Sequence, residues 1–175
     1  MVTTAIVLLL AFIGVEFAGY LFHRLMHTKW LGPLHRAHMA HHLAMYPPQD
    51  YLSKSYRKTG TDSTTWRFVA FGTTIGLLAL WLTPIWISLP VVIALVVMGG
   101  LNSYMHDTIH VSPHVLERFD WFLDLRVTHH VHHVEMGKNF GVVTFWADRI
   151  FGTFRRVFRW TYVIHKTEFR SAKRD

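Results

Sequence analysis

Thirteen of the fourteen histidines in this 175-residue chain fall within residues 23–42 and 106–133. Their spacing is regular. His23 and His27 form an HxxxH, and His38, His41 and His42 form an HxxHH. The pattern repeats as His106 and His110, then His129, His132 and His133. Imidazole ligates iron, zinc, copper and nickel, and helix positions i, i+3 and i+4 share one face. Each block is therefore expected to aim five ring nitrogens at one point, and the ten together suffice for two metal ions. Crowded imidazoles repel one another as they protonate, so ten in this pattern need a shared reason to be there. His114, His130 and His165 fall outside the pattern and read as packed or interfacial residues. So does His35, although it shares a helical face with His38 and His42.

Neutral imidazoles leave the charge of two divalent ions to be balanced by water-derived ligands and nearby carboxylates, which metal-bound histidines contact through their other N–H. Asp107 follows His106 directly, and Asp124, Glu135 and Asp148 flank the last block. Glu16 lies two helical turns before His23 on the same face. An ionisable residue inside an apolar run is costly and usually functional, so Glu16 is expected to face the site.

The elements that position these residues are apolar. Hydrophobic residues make up 51% of the chain and charged ones 17%, below the usual level of about 25%. Mean hydropathy is +0.21. Residues 2–22 carry one charged residue, Glu16, and reach roughly 30 Å as a helix, the thickness of a bilayer core. The first segment is expected to be retained, because no basic region precedes it and no clear small-residue cleavage site follows. Residues 68–105 carry no charge. As a single helix they would be about 57 Å long, so they read as a hairpin broken from Thr83-Pro84 to Ser88-Leu89-Pro90. The expected architecture is a single all-α integral-membrane domain over residues 1–175. Its spans are placed at about 2–22, 67–83 and 88–105, with a cytoplasmic helical cap carrying a di-metal histidine cluster. Gly32-Pro33 and Ser112-Pro113 mark breaks before each HxxHH. The polar residues 46–65 read as a connector or lid. The apolar stretch 139–146 is too short to cross a bilayer and is expected to line a pocket or pack at the interface.

All eighteen Lys and Arg lie within residues 24–67 or 118–174. By the positive-inside rule both histidine blocks and the basic tail, residues 155–175, face the cytoplasm, as in a bacterial inner membrane or an ER-type membrane. The net charge of +7 then reflects orientation and attraction to anionic lipid rather than nucleic-acid binding. There are no cysteines, which excludes disulfides, Cys-ligated zinc, Fe–S clusters and thiolate-ligated haem.

The boxes HRLMH, HMAHH, HDTIH and HHVHH, in this order around a membrane hairpin, resemble those of the fatty acid hydroxylase/sterol desaturase superfamily. Asn139-Phe140-Gly141, followed by Trp146, Asp148 and Phe151-Gly152-Thr153, is similar to its NxG and WDxxFGT pattern, with Ala147 inserted between Trp and Asp. The resemblance covers roughly residues 16–154. It implies a membrane-bound, non-haem di-iron oxygenase with O2 as co-substrate, and zinc as a substitute for the two irons in purified protein. Hydroxylation and desaturation share one oxidant, so the boxes do not separate them. Glu16, Asp107, Asn139 and Asp148 are expected to line the site or stand behind the ligands. Electrons must come from a separate ferredoxin, b5-type protein or reductase, and the substrate is expected to be a fatty acyl or sterol-like lipid. The runner-up enzymes are a carotenoid ring hydroxylase and a sterol-type desaturase. From another class come a zinc-stabilised, metal-binding membrane protein without redox activity, a metal transporter, which would place its ligands near the bilayer midplane, and a di-haem carrier, which needs about two axial histidines per haem.

Overall fold

A computed structural model describes residues 2–57 and 64–156, and it is helical with no strand among them. Helix α1 (Val2–Met26) is followed by α2 (Pro33–Ala40), which runs without a break into a π-helical turn at His41–Met45. Pro33 opens α2, where its missing N–H costs nothing, and Gly32 turns the chain into it with φ 49°. Then come α3 (Thr64–Leu82), α4 (Ile85–Ile109), α5 (Asp120–Val134) and α6 (Trp146–Ile150).

Two of these helices, α1 from Thr4 and the whole of α4, are long and apolar enough to cross a membrane. Leu9, Leu10 and Val96 are 60–70% exposed, which a soluble domain would avoid and a lipid environment favours. The apolar part of α3, Arg67–Leu82, is shorter, at about 24 Å. The hairpin break is also narrower than expected. Only Thr83 and Pro84 separate α3 from α4, and the second arm begins at Ile85 rather than 88. Pro84 caps α4, with its carbonyl accepting from Ile87 N (2.9 Å) and Ser88 N (3.1 Å). Pro90 lies inside the helix at the cost of one hydrogen bond, which apolar spans tolerate.

Glycines bring the hairpin arms together. A Cβ on Gly76 would lie 3.5–3.8 Å from the Leu95 and Val92 side chains. Helix α1 packs beside α4 and parallel to it, so the C-terminal ends of both arrive on one side with His23 and His106.

Residues 46–57 connect the π-helical turn toward α3 and are packed against the helices. Tyr46 and Tyr51 are buried, and Ser53 exchanges backbone hydrogen bonds with His110 (3.0 Å) and Ser112 (2.9 Å). Arg57 closes the segment on the Met45 carbonyl and pairs with Asp50 at 2.9 Å. Tyr51 joins Met105, Ile109, Phe122, Leu125 and Val142 in the core under the cap. Residues 58–63 of the connector, His165 and the tail beyond residue 156 lie outside the described residues.

Candidate metal centre

Nine of the ten patterned imidazoles converge on two points. His23, His27, His38, His42 and His132 form one group; His41, His106, His110 and His129 form the other. Within each group the nearest ring nitrogens all lie within 4.8 Å of one another. The tenth, His133, lies between them, its ring 4.1 Å from His42 and 4.9 Å from His110, with a buried Nε2 that has no hydrogen-bond partner.

Contrary to the expectation that each sequence block aims its five imidazoles at one point, the groups mix the two blocks. The first HxxHH sends His41 across to the second group, and the second HxxHH sends His132 to the first. Positions i+3 and i+4 of a helix diverge by about 100° around its axis, so a helix running between two points offers one residue to each. The π-helical turn beginning at His41 lies where this divergence occurs.

In the first group, the Nε2 of His38 lies 3.1 Å from that of His23, 2.9 Å from that of His27 and 3.1 Å from that of His42. A fourth contact joins His27 and His132 at 3.2 Å. A ring nitrogen carries at most one proton, so His38 Nε2 can donate to only one of its three neighbours. Separations near 3 Å are those of ligands about 90° apart, each about 2.1 Å from a shared ion. In the second group both nitrogens of His41 and of His129, and Nε2 of His110, are buried without partners. Buried unpaired polar atoms are costly, and an ion bound by one nitrogen of each ring would satisfy three of the five. The donor set fits two divalent ions.

The layer behind the ligands is made of backbone carbonyls. His23 Nδ1 donates to Phe140 O (2.5 Å), His132 to Lys138 O (2.6 Å), His133 to Tyr46 O (2.8 Å) and His110 to Tyr51 O (3.2 Å). A carbonyl oxygen only accepts, so each of these Nδ1 atoms holds the proton and each Nε2 presents its lone pair. Burial holds His38, His41, His42, His110, His129, His132 and His133 well below the usual imidazole range, with the positive charge of neighbouring imidazoles adding to it. Burial pushes His27 down to about 4. All are held in the neutral, metal-binding form.

The carboxylates are distributed around the clusters, with Glu16 lining a cavity that reaches His23, His38 and His106. Asp148 is fully buried and accepts from Phe140 N (2.9 Å), Gly141 N (2.8 Å) and Thr153 Oγ1 (2.7 Å). It acts on His23 through the Phe140 peptide. Asn139, at φ 54°, donates to Thr128 O and Arg155 O and accepts from Arg155 N, so it ties the same loop down. Gly141 is required there, because a Cβ would overlap the Thr144 carbonyl. Asp107 Oδ1 lies 3.6 Å from His106 Nδ1, beyond a hydrogen bond. Asp124 is exposed, and Glu135 pairs with Arg155 at 3.0 Å. Glu16 accepts from Asn102 Nδ2 (2.7 Å) and from the Thr144 hydroxyl.

His35 bonds to Met26 O and His130 to Pro48 O, while His114 caps the turn at Val115–Arg118. These three are structural. Sequence reasoning missed Tyr46, which stacks on His110 at 4.0 Å, and Tyr51. Two tyrosines in an otherwise polar connector were the available signal.

A cavity of about 100 Å3 lies between α1, α3, α4 and the 140–147 loop. Its walls are mainly apolar, with Phe71, Ile75, Leu95 and Val142 among them, and it reaches His23 and His38 of the first group and His106 of the second.

Two long apolar helices ending in buried imidazole clusters beside an apolar cavity define a class: helical, membrane-associated, metal-binding proteins. The family model described as fatty acid hydroxylase matches residues 8–153, and the chain belongs to that family. The match begins within α1 and ends at Thr153. Its members are oxidoreductases, membrane lipid hydroxylases or desaturases. No curated protein and no solved structure matches the chain.

Proposed function

We propose that the chain is a multi-pass membrane di-iron oxygenase that hydroxylates an unactivated C–H bond of a fatty acyl or sterol-like lipid. The observation that carries the reading is the apolar cavity that touches imidazoles of both groups at once. The five imidazoles of the first group would hold one iron, and those of the second, with His133 beside them, the other. Iron so held supplies reductive activation of O2: one oxygen atom enters the C–H bond, and the other leaves as water with electrons and protons from a separate donor.

The protein's own residues do the rest. The carbonyls of Phe140, Lys138, Tyr46 and Tyr51 orient the rings and keep Nε2 unprotonated. The apolar walls exclude water and place a hydrocarbon segment beside the imidazoles. The histidine side faces the cytoplasm, where basic residues would dock an acidic ferredoxin or b5-type donor. Turnover that is insensitive to salt would refute that docking.

The primary test is the metal content and optical spectrum of detergent-purified protein from iron-replete cells, joined to lipid profiles of expressing and control cells. The expected result is iron without a Soret band, and an added hydroxyl in one lipid class. Absence of bound iron, or metal transport without lipid oxidation, would overturn the proposal.

A further inference from the structure

The cavity contains one polar cluster that the chemistry at the imidazoles does not use. Glu16 of α1 accepts from Asn102 of α4 on one carboxylate oxygen and from Thr144 of the 140–147 loop on the other. All three residues line the cavity, whose other walls are mainly apolar. Both protons of the Asn102 amide are occupied, one on Glu16 (2.7 Å) and one on Met98 O (2.9 Å). The cluster therefore offers the cavity spare acceptor lone pairs on Glu16 and no spare Asn102 donor.

The path from this cluster to the imidazoles is open. Residues 16, 19 and 23 share one face of α1, and 99, 102 and 106 share one face of α4. Between the polar and imidazole ends stands Gly19 on α1, and Gly99 lies just beyond Asn102; a Cβ at either would have nothing within 4 Å. From Asn102 to His106 is one helical turn and from Glu16 to His23 two, so the carboxylate and the imidazoles are about 6–10 Å apart along the cavity.

We infer that Glu16, held by Asn102 and Thr144, is a specificity-determining residue that accepts a hydrogen bond from a hydroxyl group already on the lipid, several carbons from the carbon placed at the imidazoles. The substrate class is thus a lipid alcohol, of open-chain or sterol type. This rests on the proposed lipid oxygenase reading. A hydroxyl suits the cluster because its single donor is satisfied by one carboxylate lone pair. A buried ammonium would leave further donors unmet, and a second carboxylate would meet like charge. A plain hydrocarbon would leave the carboxylate facing an apolar group after losing its water.

The test uses the full iron-loaded chain in detergent, with two matched pairs of probes: hexadecanol against hexadecane, and cholesterol against cholestane. Affinities are read from ligand-dependent thermal stabilisation, and oxidation from product chromatography. In at least one pair the wild-type chain is expected to bind the alcohol about 10- to 100-fold more tightly, the range of a hydrogen bond to a charged group. Glu16→Met, which keeps the side-chain length and removes both carboxylate acceptors without adding a donor, should bring that ratio close to unity.

Equal affinity for alcohol and hydrocarbon in both pairs overturns the inference, and the wild-type chain alone gives this result even if the variant fails to fold. A Glu16→Met chain that keeps the wild-type ratio also overturns it and leaves the cluster as a tie between helices. The oxygenase reading fails separately. Alcohol-selective binding without any oxidation would sink that reading and leave the inference standing, whereas oxidation of both members with equal affinity would do the reverse.

Discussion

Asp148→Asn tests whether the carbonyl layer behind the imidazoles governs metal retention. Asp148 Oδ1 accepts from Phe140 N and Thr153 Oγ1, and Oδ2 from Gly141 N. An asparagine of the same shape keeps the first two contacts and turns its NH2 toward the Gly141 N–H. One buried donor is left unmet, at a cost of about 1–3 kcal/mol. The strain falls on the peptide whose carbonyl holds His23 Nδ1 at 2.5 Å. Losing such a partner weakens metal binding by about 10- to 100-fold, or about 1.4–2.8 kcal/mol, which agrees with the hydrogen-bond figure. Only the first group uses this loop, through Phe140 and Lys138; the layer behind the second group is supplied by Tyr51. Titration with a graded series of chelators, with metal counted by mass spectrometry, should show one ion leaving early and the other leaving as in wild type. Wild-type retention of both ions, or equal weakening of both, would refute the reasoning.

Other predictions follow from the same geometry. Gly19→Leu should retain metal and thermal stability, since a Cβ there meets nothing within 4 Å, yet lower lipid affinity at least tenfold by filling the cavity; unchanged lipid binding would place the substrate elsewhere. His132→Ala should abolish product formation while the protein still inserts in membranes, as judged by fractionation; full activity would remove His132 from the ligand set. Chelator-treated protein should lose stability as pH falls from about 6.5 toward 4. His27 and its buried neighbours have folded-state pKa values below the ordinary 6.5, so the unfolded chain binds more protons in that window and draws the equilibrium toward it. A melting temperature that is flat across this range would contradict the burial argument.

Much of the candidate site was legible because imidazoles at spacings of three and four mark helix faces whatever the fold around them. Three of the histidines set outside the pattern, His35, His114 and His130, prove to bond to backbone groups. The extent of α1 followed from its run of apolar residues. The hairpin was legible in outline, but its boundary was not, because proline at the sixth position of α4 breaks one hydrogen bond rather than the helix. Glu16 stood out as a charge in an apolar run, while its partners Asn102 and Thr144 lie 86 and 128 residues away in the chain.

By itself, then, the sequence determined the ligand chemistry, the number of imidazoles, the helices that carry them and the apolar lengths that place those helices in a membrane. These properties follow from residue type and local period. Tertiary structure decided which imidazole joins which group, exchanging His41 and His132, because the direction of an i+3 or i+4 residue acquires meaning only when a neighbouring helix stands on one side or the other. It also decided what stands behind the ligands. Carboxylates were the visible candidates, and the fold adds backbone carbonyls of Phe140, Lys138, Tyr46 and Tyr51, which accept from four of the rings. Every residue carries a carbonyl, so no residue type reveals which one the fold will aim at a ring.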